Sequence, residues 1–124
     1  MNFGYSYLLD MWGCEDGICD SLEVHYRFLE TLVERIGMTA MCPPKVQHAP
    51  RVNGVEMYPD KEGVSGCIFL IESGITIHSM EPSHEIYLDV FSCKLFDPLV
   101  VRDVAFKHFR YLGYKDHWIE RRAT

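Results

Sequence analysis

The chain has 124 residues, of which 48% are hydrophobic and 24% charged, and its formal net charge is −6. That length implies one domain, residues 1–124, around one core, and the composition excludes a disordered chain. The acidic balance argues against a nucleic-acid partner. No apolar run approaches the ~20 residues of a membrane span and no secretory leader opens the chain, so no membrane partner is expected and the expected setting is cytoplasmic.

Five cysteines at 14, 19, 42, 67 and 93 are odd in number and scattered, which predicts free thiols. Only Cys14 and Cys19 are near each other, and no histidine pair completes a zinc set, so no metal is expected.

Phe3 to Trp12 alternates with period two and reads as a strand with one mostly aromatic face, Phe3, Tyr5, Tyr7, Leu9 and Met11. A turn-rich loop, Cys14 to Asp20, follows, and Asp20 with Glu23 forms a capping-box pattern. The next helix carries Leu22, Tyr26, Leu29, Val33 and Ile36 on one face, with His25 beside the stripe and partly exposed, and Gly37 at the C-terminal cap. Pro43-Pro44 interrupts a second strand between Met38 and Gln47, which marks it as an edge or irregular segment. His48 to Glu62 has loop composition, and a loop of this length in a compact domain is often functional.

Two β-branched runs, Cys67 to Ile71 and Ile75 to Ile77, flank Glu72-Ser73-Gly74, the pattern of a hairpin turn. After a turn at Ser79 to Glu85, a third strand sets Ile86, Leu88 and Val90 against Tyr87, Asp89, Phe91 and Cys93 on the other face. Asp97-Pro98 starts a second helix with Val101, Ala105, Phe109 and Leu112 on one side and Gly113 at its end. Tyr114 to Glu120 reads as a last short strand and Arg121 to Thr124 as a tail. Single-striped helices with strands imply an α+β two-layer sandwich, a mainly antiparallel sheet with two helices on one face. Its bare face, with Cys67, Phe69, Tyr87 and Phe91, is apolar enough to call for dimerisation.

Gly63-Val-Ser-Gly66, Glu72-Ser73, Thr76-Ile-His78 and Asp89-Val-Phe-Ser-Cys93, in this order and spacing, resemble the prokaryotic S-adenosylmethionine decarboxylases over nearly the whole chain. The resemblance implies that the Glu72–Ser73 bond cuts itself, giving pieces 1–72 and 73–124, and that Ser73 becomes a pyruvoyl cofactor. In that chemistry the Ser73 hydroxyl attacks the Glu72 carbonyl, the amide becomes an ester, and β-elimination and hydrolysis leave a ketone and ammonia. Serine needs a base and an oxyanion stabiliser for this attack. The resemblance assigns His78 and Ser65 to processing and Cys93 to proton donation in the decarboxylation. It also implies a homodimer, or a dimer of cleaved heterodimers, with each site formed near the interface from both subunits.

The substrate is expected to be a small amine or amino acid, first S-adenosylmethionine, destined for spermidine synthesis. Glu81 is then a candidate for the ribose and Tyr58 for stacking on adenine. The family's usual Pro-Glu step is exchanged here, Ser79-Met80-Glu81-Pro82, and Gly74 stands where the family more often has a larger residue. L-ornithine or L-arginine is the alternative substrate, with Glu81, Glu85, Asp60 and Glu62 as candidate carboxylates for the distal cation. An uncleaved structural or regulatory partner is the alternative outside catalysis.

Overall fold

The structure, a computed structural model, describes residues 3–122. Six strands form one wholly antiparallel sheet in the order β2-β5-β6-β7-β1-β8, from β1 (Phe3–Trp12), β2 (Lys45–His48), β5 (Val64–Phe69), β6 (Ser73–Met80), β7 (Glu85–Ser92) and β8 (Gly113–Arg122). A separate hairpin, β3 (Arg51–Val52) with β4 (Val55–Glu56), stands within the long loop. Helices α1 (Leu22–Arg35) and α2 (Pro98–Phe109) cover one face, as the single apolar stripes imply.

Strand alternation decides which side chains meet the helices. Tyr7, Leu9, Met11, Ile75, Ile77, Ile86, Leu88 and Val90 are buried against Phe28, Leu29, Leu32, Val101, Val104, Ala105 and Phe109. The alternate set, including Phe69, Tyr87 and Phe91, is exposed on the bare face. Among the described residues no helix is long and apolar enough to cross a membrane.

Several local expectations are corrected. Ser21, not Asp20, caps α1, its hydroxyl accepting the Val24 N–H at 3.2 Å, because Asp20 is drawn away to His48 and Arg51. The core face of α1 is rotated from the predicted stripe: Leu22 is exposed and Tyr26 half-buried, while Phe28 and Leu32 are fully buried. Gly37 does lie beyond the cap with φ 71°; its N–H reaches the Glu34 carbonyl and that of Met38 the Val33 carbonyl, a Schellman ending. Helix α2 stops earlier than predicted, on a left-handed Arg110, which leaves Leu112 88% exposed. Strand β8 runs to Arg122, taking in the start of the predicted tail; residues 123–124 lie outside the described residues.

His25 is buried rather than partly exposed. Its Nδ1 lies 2.7 Å from the Ser21 carbonyl, which only accepts, so Nδ1 carries the proton and Nε2 accepts the Ser79 hydroxyl at 2.6 Å. This pair ties α1 to β6. Nearby, Gly63 has φ 153° and lies so close to the Ser79 carbonyl that any Cβ would collide with it.

Burial lowers the His25 pKa to about 4, partly offset by its bond to Ser21. The neutral form is the folded form, so its contribution is complete above about pH 6.5 and is lost as pH falls towards the folded value. The loss amounts to about 3 kcal/mol in full. Urea midpoints of the wild type are expected to drop more between about pH 7 and pH 4 than those of His25→Gln; parallel curves would contradict this role.

Candidate functional site

The predicted site residues fall into two groups at opposite ends of β6. At the first end, a tight turn over Leu70–Glu72 is closed by the Leu70 N–H on the Ser73 carbonyl (2.8 Å) and the Ser73 N–H on the Leu70 carbonyl (3.1 Å). Ser73 is therefore not in the turn, as expected, but is the first residue of β6, opposite Ser92. Gly74 is likewise extended strand, with ordinary room for a Cβ, so no turn requires its glycine.

The Ser73 hydroxyl is directed at the Glu72 carbonyl oxygen. The Cys93 N–H lies 3.1 Å from that oxygen and 3.1 Å from Ser73 Oγ. A hydroxyl beside a carbonyl whose oxygen already meets an N–H donor is the arrangement an internal acyl shift needs, since that donor faces the charge developing on oxygen. Cys93 itself is exposed, one residue beyond β7.

The segment Gly37–Thr39, released by the Schellman ending, braces both sides of this bond. The Thr39 N–H donates to the Glu72 carboxylate (2.9 Å), which holds that carboxyl below the usual range, and the Ile71 N–H donates to the Thr39 carbonyl (2.9 Å). At the end of β7, Lys94 Nζ donates to the Gly37 carbonyl (2.8 Å), and the buried Ser92 hydroxyl reaches Met38 Sδ (3.5 Å) while accepting the Lys94 N–H (2.9 Å).

At the other end, Ser65 of β5 is paired in register with His78 of β6, and Ser65 Oγ lies 2.9 Å from His78 Nδ1 on the bare face. Both line a cavity of about 260 Å³ with Tyr58, Lys61 and His48. His78 lies five residues beyond Ser73. At about 3.3 Å per residue that is about 17 Å of strand, and the odd interval turns the two side chains to opposite faces. Within one chain His78 and Ser65 therefore do not reach Ser73.

Of the candidate substrate residues, Tyr58 is exposed at the cavity. Glu85 accepts from the Tyr87 hydroxyl at 2.7 Å, and Tyr87 stands opposite His78. Glu81 turns elsewhere, accepting the Gly17 N–H (3.1 Å) in the loop before α1. Asp60 is exposed, whereas Glu62 is buried and neutralised by Arg51, which donates to its two oxygens at 3.2 and 3.1 Å. His48 completes that cluster. Burial disfavours its charge, but the Asp20 carboxylate and the Ala49 carbonyl outweigh this and raise its pKa. Sequence reasoning missed Arg51, His48 and the Thr39 brace, because their partners lie up to 33 residues away in the chain. It also missed Asp89, whose carboxyl is pushed up by burial and the neighbouring Asp10.

A family model described as S-adenosylmethionine decarboxylase matches residues 5–122. The chain belongs to the S-adenosylmethionine decarboxylase family. It is 30% identical over 95 residues to the S-adenosylmethionine decarboxylase proenzyme of Clostridium botulinum (strain Loch Maree / Type A3), covering 76% of this chain and 72% of the relative. The proenzyme of Methanococcus maripaludis (strain C5) is 29% identical over 90 residues, 73% of this chain and 65% of the relative. The crystal structure of the adenosylmethionine decarboxylase from Aquifex aeolicus VF5 shares the fold, with a TM-score of 0.77 at 20% identity over 99% of this chain and 93% of that one. As a member of this family the chain is a pyruvoyl-dependent carboxy-lyase acting on a small molecule.

The brace makes a measurable claim. Ser92→Ala strands the Lys94 N–H and removes a buried contact to Met38, so it is expected to lower unfolding stability by about 1 kcal/mol. Chemical denaturation of an otherwise unaltered chain checks this, an unchanged midpoint being the contrary result.

Proposed function

We propose that this chain is a self-processing S-adenosylmethionine decarboxylase that cuts itself between Glu72 and Ser73, and that Ser73 is the source of its pyruvoyl group. The observation that carries this reading is the Ser73 hydroxyl set against the Glu72 carbonyl with the Cys93 N–H on the carbonyl oxygen. Attack there moves the acyl group from nitrogen to oxygen, and the Cys93 N–H takes up the developing negative charge. The residues present thus fit a prosthetic group made from the chain itself. When present, its carbonyl provides the sink for electrons released as carbon dioxide leaves. The Cys93 thiol, exposed at the same end of the sheet, is the proton donor at carbon.

His78 and Ser65 serve processing in a homodimer. Their distance from Ser73 along β6 leaves the site of one chain without a base, and the apolar bare face on which they stand is the surface a second copy would cover. Facing sheets in opposite directions would bring His78 and Ser65 of one copy to the end of the other's β6, where half-buried Ser73 is the first residue of the strand and its hydroxyl, bonded by the Cys93 N–H, stands outside the helix-packed core. Tyr58 and Glu85, near His78, are the proposed substrate contacts; Glu81, held by Gly17, is not assigned to the ribose. The relatives named above carry the S-adenosylmethionine name, which favours that substrate over L-ornithine or L-arginine. A silent partner has no use for a poised Ser73. Cytoplasmic residence is proposed as the setting that matches free thiols.

Two experiments test this. The purified protein, trapped with cyanoborohydride in the presence of S-adenosylmethionine, L-ornithine or L-arginine, is expected to show two masses meeting at Glu72 and Ser73. The C-terminal piece should gain mass with S-adenosylmethionine, while Ser73→Ala should give one full-length mass. Separately, His78→Ala and Ser73→Ala chains should each stay uncut alone, but when refolded together the His78→Ala chain should be cut. Failure of the mixture, with each variant folded, would overturn the shared site.

A further inference from the structure

Among the described residues, two groups of side chains bring one ligand atom each to within 4.8 Å of one another: Asp20, His48 and Glu62, and Asp16, Glu81 and His84. The first group is closed. Arg51 reaches both of its carboxylates, His48 lies between them, and its polar atoms have partners.

The second group is open. No Lys or Arg among the described residues pairs with it. Glu81 Oε2 accepts the Gly17 N–H, but the atoms Glu81 Oε1 and His84 Nδ1, in side chains that are 21% and 39% exposed, are themselves shielded from solvent with no hydrogen-bond partner, and they are the only such side-chain atoms among the described residues. Leaving a buried polar atom unmatched costs about 1–3 kcal/mol, so two in one cluster demand an explanation. His84 Nδ1 lies 3.7 Å from Glu81 Oε2, too far for a hydrogen bond. That separation is close to the ~3.4 Å between two ligands of one tetrahedral ion with bonds of about 2.1 Å.

We propose that Asp16, Glu81 and His84 form a binding site for a divalent transition-metal ion of the zinc type. One imidazole with two carboxylates suits zinc or manganese better than magnesium, which prefers oxygen ligands and retained waters. Three protein ligands leave an open position on the ion. The ligands come from two places: Asp16 from the loop between β1 and α1, and Glu81 and His84 from the turn between β6 and β7. The Cys14 N–H on the His84 carbonyl (3.1 Å) already joins these segments, and the ion would clamp them more firmly. The site lies beyond the β6 end that carries His78 and uses no residue proposed for processing or decarboxylation.

The test uses the full chain stripped with a chelator, then dialysed against Zn²⁺ or Mg²⁺ and assayed for bound metal and thermal unfolding. One zinc per chain and a raised Tm are expected, with no such effect from Mg²⁺. Asp16→Asn, at an exposed position, should weaken zinc binding at least tenfold, and His84→Ala should abolish it. Cobalt substitution should give a visible spectrum without a thiolate charge-transfer band. The site is overturned if no zinc binds, which would leave a bridging water as the partner of the orphaned atoms. It is equally overturned if both variants bind as the wild type does, or if a thiolate band places the ion on cysteines.

Discussion

The register of β6 against β7 is the constraint on which the rest of the molecule depends. Pairing Ser73 with Ser92 sets the next residue, Cys93, with its N–H over the Glu72 carbonyl. The same ladder, read to its other end, puts Tyr87 beside His78, and the β5 ladder puts Ser65 there as well. A slip of one residue would exchange the faces of every side chain and dissolve both groups at once. Two features outside the ladder hold it: the buried His25 to Ser79 bond, which ties β6 to α1, and the Gly37–Thr39 segment, which grips the turn and the end of β7 together.

This arrangement separates strength from reactivity. The helix-covered face is closed by aromatic and branched side chains, with Ser79 and His25 matched inside it. The groups proposed for the chemistry stand at the sheet's ends and on its bare face, where water and a second chain have access. Glu72 illustrates the division: its carboxylate anchors the chain through Thr39, while its carbonyl faces the Ser73 hydroxyl.

Much of this was legible in the sequence, and what was not has physical reasons. Alternation in Glu85–Ser92 gave the correct faces because one side is fully buried, and the paired β-branched runs around Glu72 were correctly read as a hairpin. Asp20 was misread as a cap because its true partners, His48 and Arg51, come from a loop whose path no local pattern encodes. His25 was misplaced because a histidine satisfied at both nitrogens by distant atoms packs as a core residue. Leu112 continues a helical spacing that the left-handed Arg110 has already ended. For the site, the family resemblance named the candidate residues, but their distribution along β6 was not legible, since that depended on whether Ser73 began the strand or belonged to the turn.

The strand order has a last consequence. A cut between Glu72 and Ser73 would assign β1, β2 and β5 to one product and β6, β7 and β8 to the other. In the sheet these do not lie side by side as two blocks: β1 is threaded between β7 and β8. The two products would be interleaved, held by ladders on both flanks of β1, and unable to part without dismantling the sheet. Neither would hold all its strands in one contiguous sheet, so assembly would have to come before any scission. The intact polypeptide would then be the scaffold that lets two short chains acquire a shared architecture neither could reach alone.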